Sequence, residues 1–253
     1  MKEIIRGIQP PVWYSVLFAL GFIISYQFVV HFFKKEGKDP QNVDTLTVYM
    51  VLATIVGARL GHLLFYEPER FLADPLMFFR TWEGGLASHG GAFGILFAIW
   101  TKIKRQGQSY LWILDRIVIV TAMTAAFIRF GNFVNSEIVG LPTESDYGVV
   151  FGRIAELPRH PAQLYEAGTS IVLFLILLLI WMRYKEKTPE GLLFGLFLVI
   201  LFGLRFFHET FKENQEAFED GLPLNMGQIL SIPLIAVGLG MLARVAMKSK
   251  KQS

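Results

Sequence analysis

Residues 163–183 read QLYEAGTSIVLFLILLLIWMR, and no charged residue falls between Ala167 and Met182. A helix needs roughly 20 apolar residues to cross a hydrocarbon core about 30 Å thick. Six further stretches meet that requirement, at 12–33, 43–66, 84–101, 111–129, 190–209 and 225–245. The third is interrupted by glycines and the fourth carries Asp115-Arg116. Backbone groups in lipid must pair within helices or a closed barrel, and these runs lack the alternation of barrel strands. The pattern predicts an all-α polytopic membrane protein with seven transmembrane helices, forming a single integral membrane domain over residues 1–253.

Composition agrees. The chain is 53% apolar and 18% charged, with 23 Phe, where soluble domains carry about 25% charged residues. Its mean hydropathy is +0.45. A disordered chain and a conventional water-soluble enzyme are both excluded. Cysteine is absent, which removes disulfides, Cys-ligated metals and thiol nucleophiles. The net charge is only +3, so the pI near 9.0 implies no nucleic-acid partner. Met1–Arg6 is too short and too mixed in charge for the start of a cleaved signal peptide, so the first span is expected to be retained.

The positions of the basic residues fix the expected orientation. Alternate loops carry Lys34, Lys35 and Lys38; Lys102, Lys104 and Arg105; Arg183, Lys185 and Lys187; and Arg244, Lys248, Lys250 and Lys251, thirteen in all. The opposite side has seven: Lys2, Arg6, Arg70, Arg80, Arg153, Arg159 and Lys212. The positive-inside rule then puts the N-terminus outside and the C-terminus in the cytoplasm. On the outer side, residues 67–83 (EPERFLADPLMFFRTWE) mix Phe, Trp and Arg as a surface arm would. Residues 130–162 are the longest polar stretch and are expected to form a small external cap.

Ionisable groups within spans are costly and mark functional sites. With this topology, Arg59 and His62 fall in the outer half of the second span, three apart and on one face. His89 lies about 8 Å below the outer boundary of the third. The fourth span delivers Arg129 to its outer end, followed by Asn132, Asn135 and Glu137. The fifth starts on the same side with His160, Gln163, Tyr165 and Glu166; the sixth ends there with Arg205, His208 and Glu209; and Tyr14 opens the first. Polar groups from six helices thus share the outer leaflet, where a lipid's phosphate and glycerol sit. Three arginines there suit an anionic phosphate, which guanidinium binds bidentately.

Structural readings stand beside these. Arg205 and Glu209, four apart, also fit mutual neutralisation, and Arg129 also fits snorkelling to the headgroups. His89 sits between Gly84-Gly85 and Gly90-Gly91, which admit either another backbone or a substrate. His62 and His208 read as packing residues, Asp115-Arg116 as an inner-edge anchor, and Trp13, Trp82 and Tyr110 as interfacial aromatics.

Five stretches carry a resemblance: GARLGHLLFYEPERFLADP (57–75), GGLASHGGAFG (84–94), RFGNFVNSEIVG (129–140), RHPAQLYE (159–166) and NMGQILSIP (225–233). In order and over essentially the whole chain, they resemble the signature stretches of bacterial prolipoprotein diacylglyceryl transferases. That resemblance implies an enzyme of the bacterial cytoplasmic (inner) membrane, acting at the outer leaflet without metal or cofactor. The implied donor is phosphatidylglycerol, and the acceptor is the lipobox cysteine in a prolipoprotein signal peptide. A thioether forms and glycerol phosphate leaves. By similarity, His89, Arg129 and Arg205 match catalytic positions, with Arg129 also binding the lipid. Tyr14, Asn132, Glu137 and Glu209 match other important positions, and Asn135, Arg59 and His160 join them as candidate substrate contacts. Where relatives often have a tyrosine one turn before the second arginine, this chain has Leu201.

The residue types suit that chemistry. A thiol with an ordinary pKa near 8.5 reacts as thiolate. A neutral histidine is a suitable general base, and a fixed guanidinium stabilises charge growing on a departing phosphate oxygen. A second role fits His89 equally, that of positioning the donor while an arginine assists the thiolate. The readings from other classes are an outer-leaflet phospholipid-binding protein or transporter and an intramembrane serine protease. A transporter predicts midplane charges and repeated halves, which are not visible. Ser88 and His89 are adjacent on one helix and point in different directions, unlike a nucleophile and its base.

The basic asymmetry makes a prediction that this cysteine-free chain is suited to test. A single cysteine at position 145 should react with an impermeant maleimide in intact cells, and one in the 34–38 or 183–187 loop only after lysis. Labelling at 145 that requires lysis would overturn the orientation.

Overall fold

The computed structural model describes residues 12–106, 108–154, 156–212 and 223–250. Lys2, Arg6 and Lys251, which contribute to the basic asymmetry, lie outside them. Eight helices are present among the described residues: α1 Val12–Lys35, α2 Gln41–Phe65, α3 Pro68–Ala73, α4 Ser88–Gln106, α5 Tyr110–Asn135, α6 Ala162–Tyr184, α7 Leu192–His208 and α8 Met226–Lys250. Every expected span falls on one of them. Six are long and apolar enough to cross a membrane. The remaining one, α4, is apolar only over His89–Thr101, about 20 Å of helix at 1.5 Å per residue. It starts at Ser88 rather than Gly84 because Gly84 and Gly85 take φ of +83° and +79°, which a right-handed helix excludes.

The chain forms two compact units, Phe33–Ile113 and the remainder, Met1–Phe32 with Leu114–Ser253. The 33–113 unit is built on the pairing of α2 with α4. Lipid tails give helices no hydrophobic reason to associate, so close backbone approach through small residues does that work. A Cβ on Gly61 would come within 2.8 Å of Gly90 Cα, and one on Gly57 within 3.1 Å of Gly94 Cα. Of the glycines around His89, Gly90 therefore receives a neighbouring backbone, that of α2. The expected arm at 67–83 consists of α3 and two short 3₁₀ turns, Pro75–Phe79 and Thr81–Glu83. Leu72, Leu76, Phe79 and Trp82 on it are exposed, while Met77 is buried. Tyr110, read as interfacial, donates its hydroxyl to Leu96 O at 3.2 Å.

In the other unit, Ser25 Oγ of α1 lies 2.7 Å from Thr124 Oγ1 of α5. The cap contains one two-residue ribbon, β1 Val149–Val150 antiparallel to β2 Pro158–Arg159. Asp115 and Arg116 are fully buried, and each does more than anchor. Asp115 Oδ2 accepts the Gly191 N–H at 2.7 Å, and Oδ1 accepts that of Phe194 at 2.8 Å. A carboxylate on α5 thus caps the free amides at the start of α7. Arg116 Nη2 donates to Lys185 O at the end of α6, at 3.3 Å.

Asp115→Ala should leave two buried amides unpaired and cost at least about 1–3 kcal/mol. A lowered unfolding midpoint in detergent is the expected readout; an unchanged midpoint would remove Asp115 from the list of fold-determining residues.

Candidate active site

The last turns of α5 present Arg129, Asn132 and Asn135 at intervals of three residues, on one stripe. The helix runs to Asn135, beyond the expected end at 129, and closes with a Schellman motif. Ser136 N–H bonds to Phe133 O at 3.1 Å and Glu137 N–H to Asn132 O at 2.9 Å. Ser136 fills the left-handed position at φ 59°, and Ile138 follows at φ 53°, a costly conformation for a β-branched residue. This reversal returns the Glu137 carboxylate to its own helix. Asn132 Nδ2 donates to Oε2 at 2.8 Å and Asn135 Nδ2 to Oε1 at 3.1 Å. Gln163 Nε2 donates to the Glu137 carbonyl at 2.6 Å. The Tyr14 ring lies against Gly131 on the same stretch.

The cap is tied down beside these groups. Gly140 N–H bonds to His160 O at 3.0 Å and Leu141 N–H to Phe211 O at 2.8 Å. His160, expected to contact substrate, sits in an aromatic cluster instead. Its Nδ1 is 3.2 Å from the Tyr165 hydroxyl and its ring packs 5.3 Å from that of Phe211.

Five charged side chains form one alternating chain. Arg129 Nε is 2.9 Å from Glu166 Oε2, and Glu166 Oε1 is 2.6 Å from Lys212 Nζ. Lys212 Nζ is 3.1 Å from Glu209 Oε1, which is 3.5 Å from Arg205 Nε. Lys212, Glu166 and Glu209 are buried, whereas the Arg205 side chain is 42% exposed. The pairing of Arg205 with Glu209 exists as the structural reading expected, but as the end of a longer network. Three cations face two carboxylates, so one positive charge remains over.

Arg129 and Arg205 line the same cavity of about 150 Å³, together with Glu166 and His208. Thr169 and Ser170 also line it, and the remaining walls are apolar and include Ala125, Leu173, Leu201 and Phe202. Charged groups line part of the cavity, and most of the rest is hydrocarbon. His208, read as packing, is buried yet reaches the cavity.

His89 and Arg59 belong to the 33–113 unit. The His89 ring meets those of Phe65 and Tyr66 at 5.4 and 6.0 Å. Arg59 is not where a lipid contact was expected. It is 2% exposed, and its guanidinium donates to the carbonyls of Gly84, Gly85, Met77 and Arg80. His62 stacks on Tyr66 at 5.4 Å, which fits its packing role.

A family model described as prolipoprotein diacylglyceryl transferase matches residues 5–244. The chain belongs to the prolipoprotein diacylglyceryl transferase family. Relatives carrying the name phosphatidylglycerol–prolipoprotein diacylglyceryl transferase include that of Tolumonas auensis, 47% identical over 228 residues, which cover 90% of this chain and 88% of the relative. That of Porphyromonas gingivalis is 43% identical over 252 residues, 93% of this chain and 89% of its own. That of Chloroherpeton thalassium is 42% identical over 228 residues, 90% and 85% respectively.

Within this member of the diacylglyceryl transferase family, Lys212 is the residue that sequence reasoning passed over, having counted it only as an outer-loop charge. The signal was the spacing of Arg205, Glu209 and Lys212, one face of a continuing helical turn. Lys212→Met should leave two buried carboxylates facing each other. It should lower stability by about 3–5 kcal/mol, read as a fall in the detergent unfolding midpoint that Lys212→Arg largely avoids. Equal midpoints for Lys212→Met and wild type would show that the carboxylates do not depend on the lysine.

Proposed function

We propose that this chain transfers the diacylglyceryl group of phosphatidylglycerol to the lipobox cysteine of prolipoproteins, at the outer leaflet of the bacterial cytoplasmic membrane, as the first step of lipoprotein maturation. Family membership supports the reaction class. The observation that carries the assignment of residues is the cavity shared by Arg129 and Arg205, with its surplus positive charge and apolar walls. That combination suits a phosphodiester with acyl chains attached.

In this reading the two guanidiniums hold the donor's phosphate. The cysteine thiol gives its proton to His89, and the thiolate sulfur attacks the glycerol carbon that carries the phosphate ester. A carbon–sulfur bond forms as the carbon–oxygen bond breaks, and the oxygen leaves with glycerol phosphate. The arginines stabilise the charge gathering on that oxygen, the step at which fixed donors matter most. Asn132, Asn135 and Glu137 lie on the same stretch as Arg129, with the Tyr14 ring of α1 against Gly131, and serve as contacts for the rest of the headgroup. The Glu209 carboxylate holds Arg205 at the other end.

The test is direct. Purified protein incubated with phosphatidylglycerol and a lipobox peptide should yield a peptide heavier by one diacylglyceryl group; mild base should strip its ester-linked acyl chains and leave the glyceryl group on cysteine through the thioether. Unmodified peptide under those conditions would sink the proposal. Arg129→Lys should lose roughly 10²-fold in turnover, because lysine offers a point charge where two parallel hydrogen bonds are needed. His89→Gln should bind phosphatidylglycerol normally yet transfer slowly, and raising the pH toward the thiol pKa should restore part of the rate. Weak lipid binding with a flat pH profile in His89→Gln would instead make this histidine a donor-positioning group.

A further inference from the structure

We propose that Arg59 is a positioning residue for His89, acting through the backbone turn from which α4 starts. This rests on the general-base reading of His89 given above. Four carbonyls converge on one guanidinium: Nη2 donates to Met77 O at 2.5 Å and Arg80 O at 3.0 Å, while Nη1 serves Gly84 O and, at 3.3 Å, Gly85 O. These belong to the arm and to the two glycines at positive φ that stop α4 from beginning earlier. Met77 is buried, so its carbonyl left alone would cost free energy, and the other three are gathered at the same guanidinium. The neighbouring residue continues the same restraint through its backbone, since Ala87 N–H bonds to Ala58 O at 2.9 Å.

His89 therefore starts from a segment fixed on both sides. Before it, Arg59 and Ala58 hold Gly84 to Ala87. After it, Gly90 packs against Gly61 too tightly for a Cβ. The walls of the imidazole, Phe65 and Tyr66, follow on from the same stretch of chain. α2 thus supplies the reference frame for His89, and Arg59 is its link to the turn. A guanidinium fork spans four acceptors with two nitrogens in one plane; an ammonium, with donors on a single nitrogen, does not.

The experiment is a double-variant cycle in the peptide transfer assay, using Arg59→Lys and His89→Gln singly and together. Arg59→Lys should reduce kcat near neutral pH by on the order of 10²-fold, the effect of a small misplacement of a catalytic group. KM for phosphatidylglycerol should hold, and high pH should restore part of the rate as in His89→Gln. On the His89→Gln background, Arg59→Lys should change the rate by less than about twofold. Gly84→Ala is the second variant, for use if Arg59→Lys does not fold. Its φ of 83° and ψ of −161° suit only glycine, no neighbour lies within 4 Å of its Cβ position, and it should give the same non-additivity. Multiplicative losses on a slow His89→Gln background, a raised KM with normal kcat, or wild-type turnover in Arg59→Lys would each overturn the assignment. A His89→Gln variant with full turnover would instead defeat the base reading itself, and Arg59's assignment with it.

Discussion

A carboxylate taken out of water has to be paired, and the rest of the proposed site depends on how Glu166 and Glu209 meet that demand. Both reach the same buried lysine nitrogen, at 2.6 and 3.1 Å. Each also meets an arginine, at 2.9 Å for Glu166 and 3.5 Å for Glu209. The network joins the end of α5, the start of α6 and the end of α7, with Lys212 just beyond. Helices that gain little from burying apolar surface in lipid are held in register there by charge.

The network also sets the sign of the cavity. Two carboxylates cancel two of three cations, and the arginines stand at the two ends of the chain. Each carries donors that its glutamate does not occupy, and both open onto one space whose walls are largely apolar. An anionic headgroup entering there would find its charge matched without stripping a buried glutamate of its only partner. Leu201 is one of the apolar walls.

Much of this was legible in the amino-acid order. Seven apolar runs fell on seven helices, because in lipid a long apolar segment has few alternatives to helix. Their positions at span ends placed Arg129 and Arg205 in one layer, and the structure adds that they line one cavity. What stayed hidden depended on contacts between distant residues. Arg59 reads as one more intramembrane cation until the carbonyls of Met77 to Gly85 are seen around it. His160 belongs to a motif with ligand-like residues, yet Tyr165 and Phe211 claim its ring. The end of α5 was misplaced because its stop is a serine in the left-handed slot instead of the usual glycine. Asp115 shows no sign in sequence of the helix it caps, some seventy-five residues later.

The central claim is that Arg129 and Arg205 bind one phosphate together. The most direct measurement is the dissociation constant of phosphatidylglycerol for the detergent-purified protein, for Arg129→Lys, for Arg205→Lys and for the double variant. A shared phosphate predicts that each single change weakens binding and that the double variant is little weaker than either single one, because the clamp is lost at the first substitution. Losses that simply multiply, or a dissociation constant indifferent to both arginines, would contradict it.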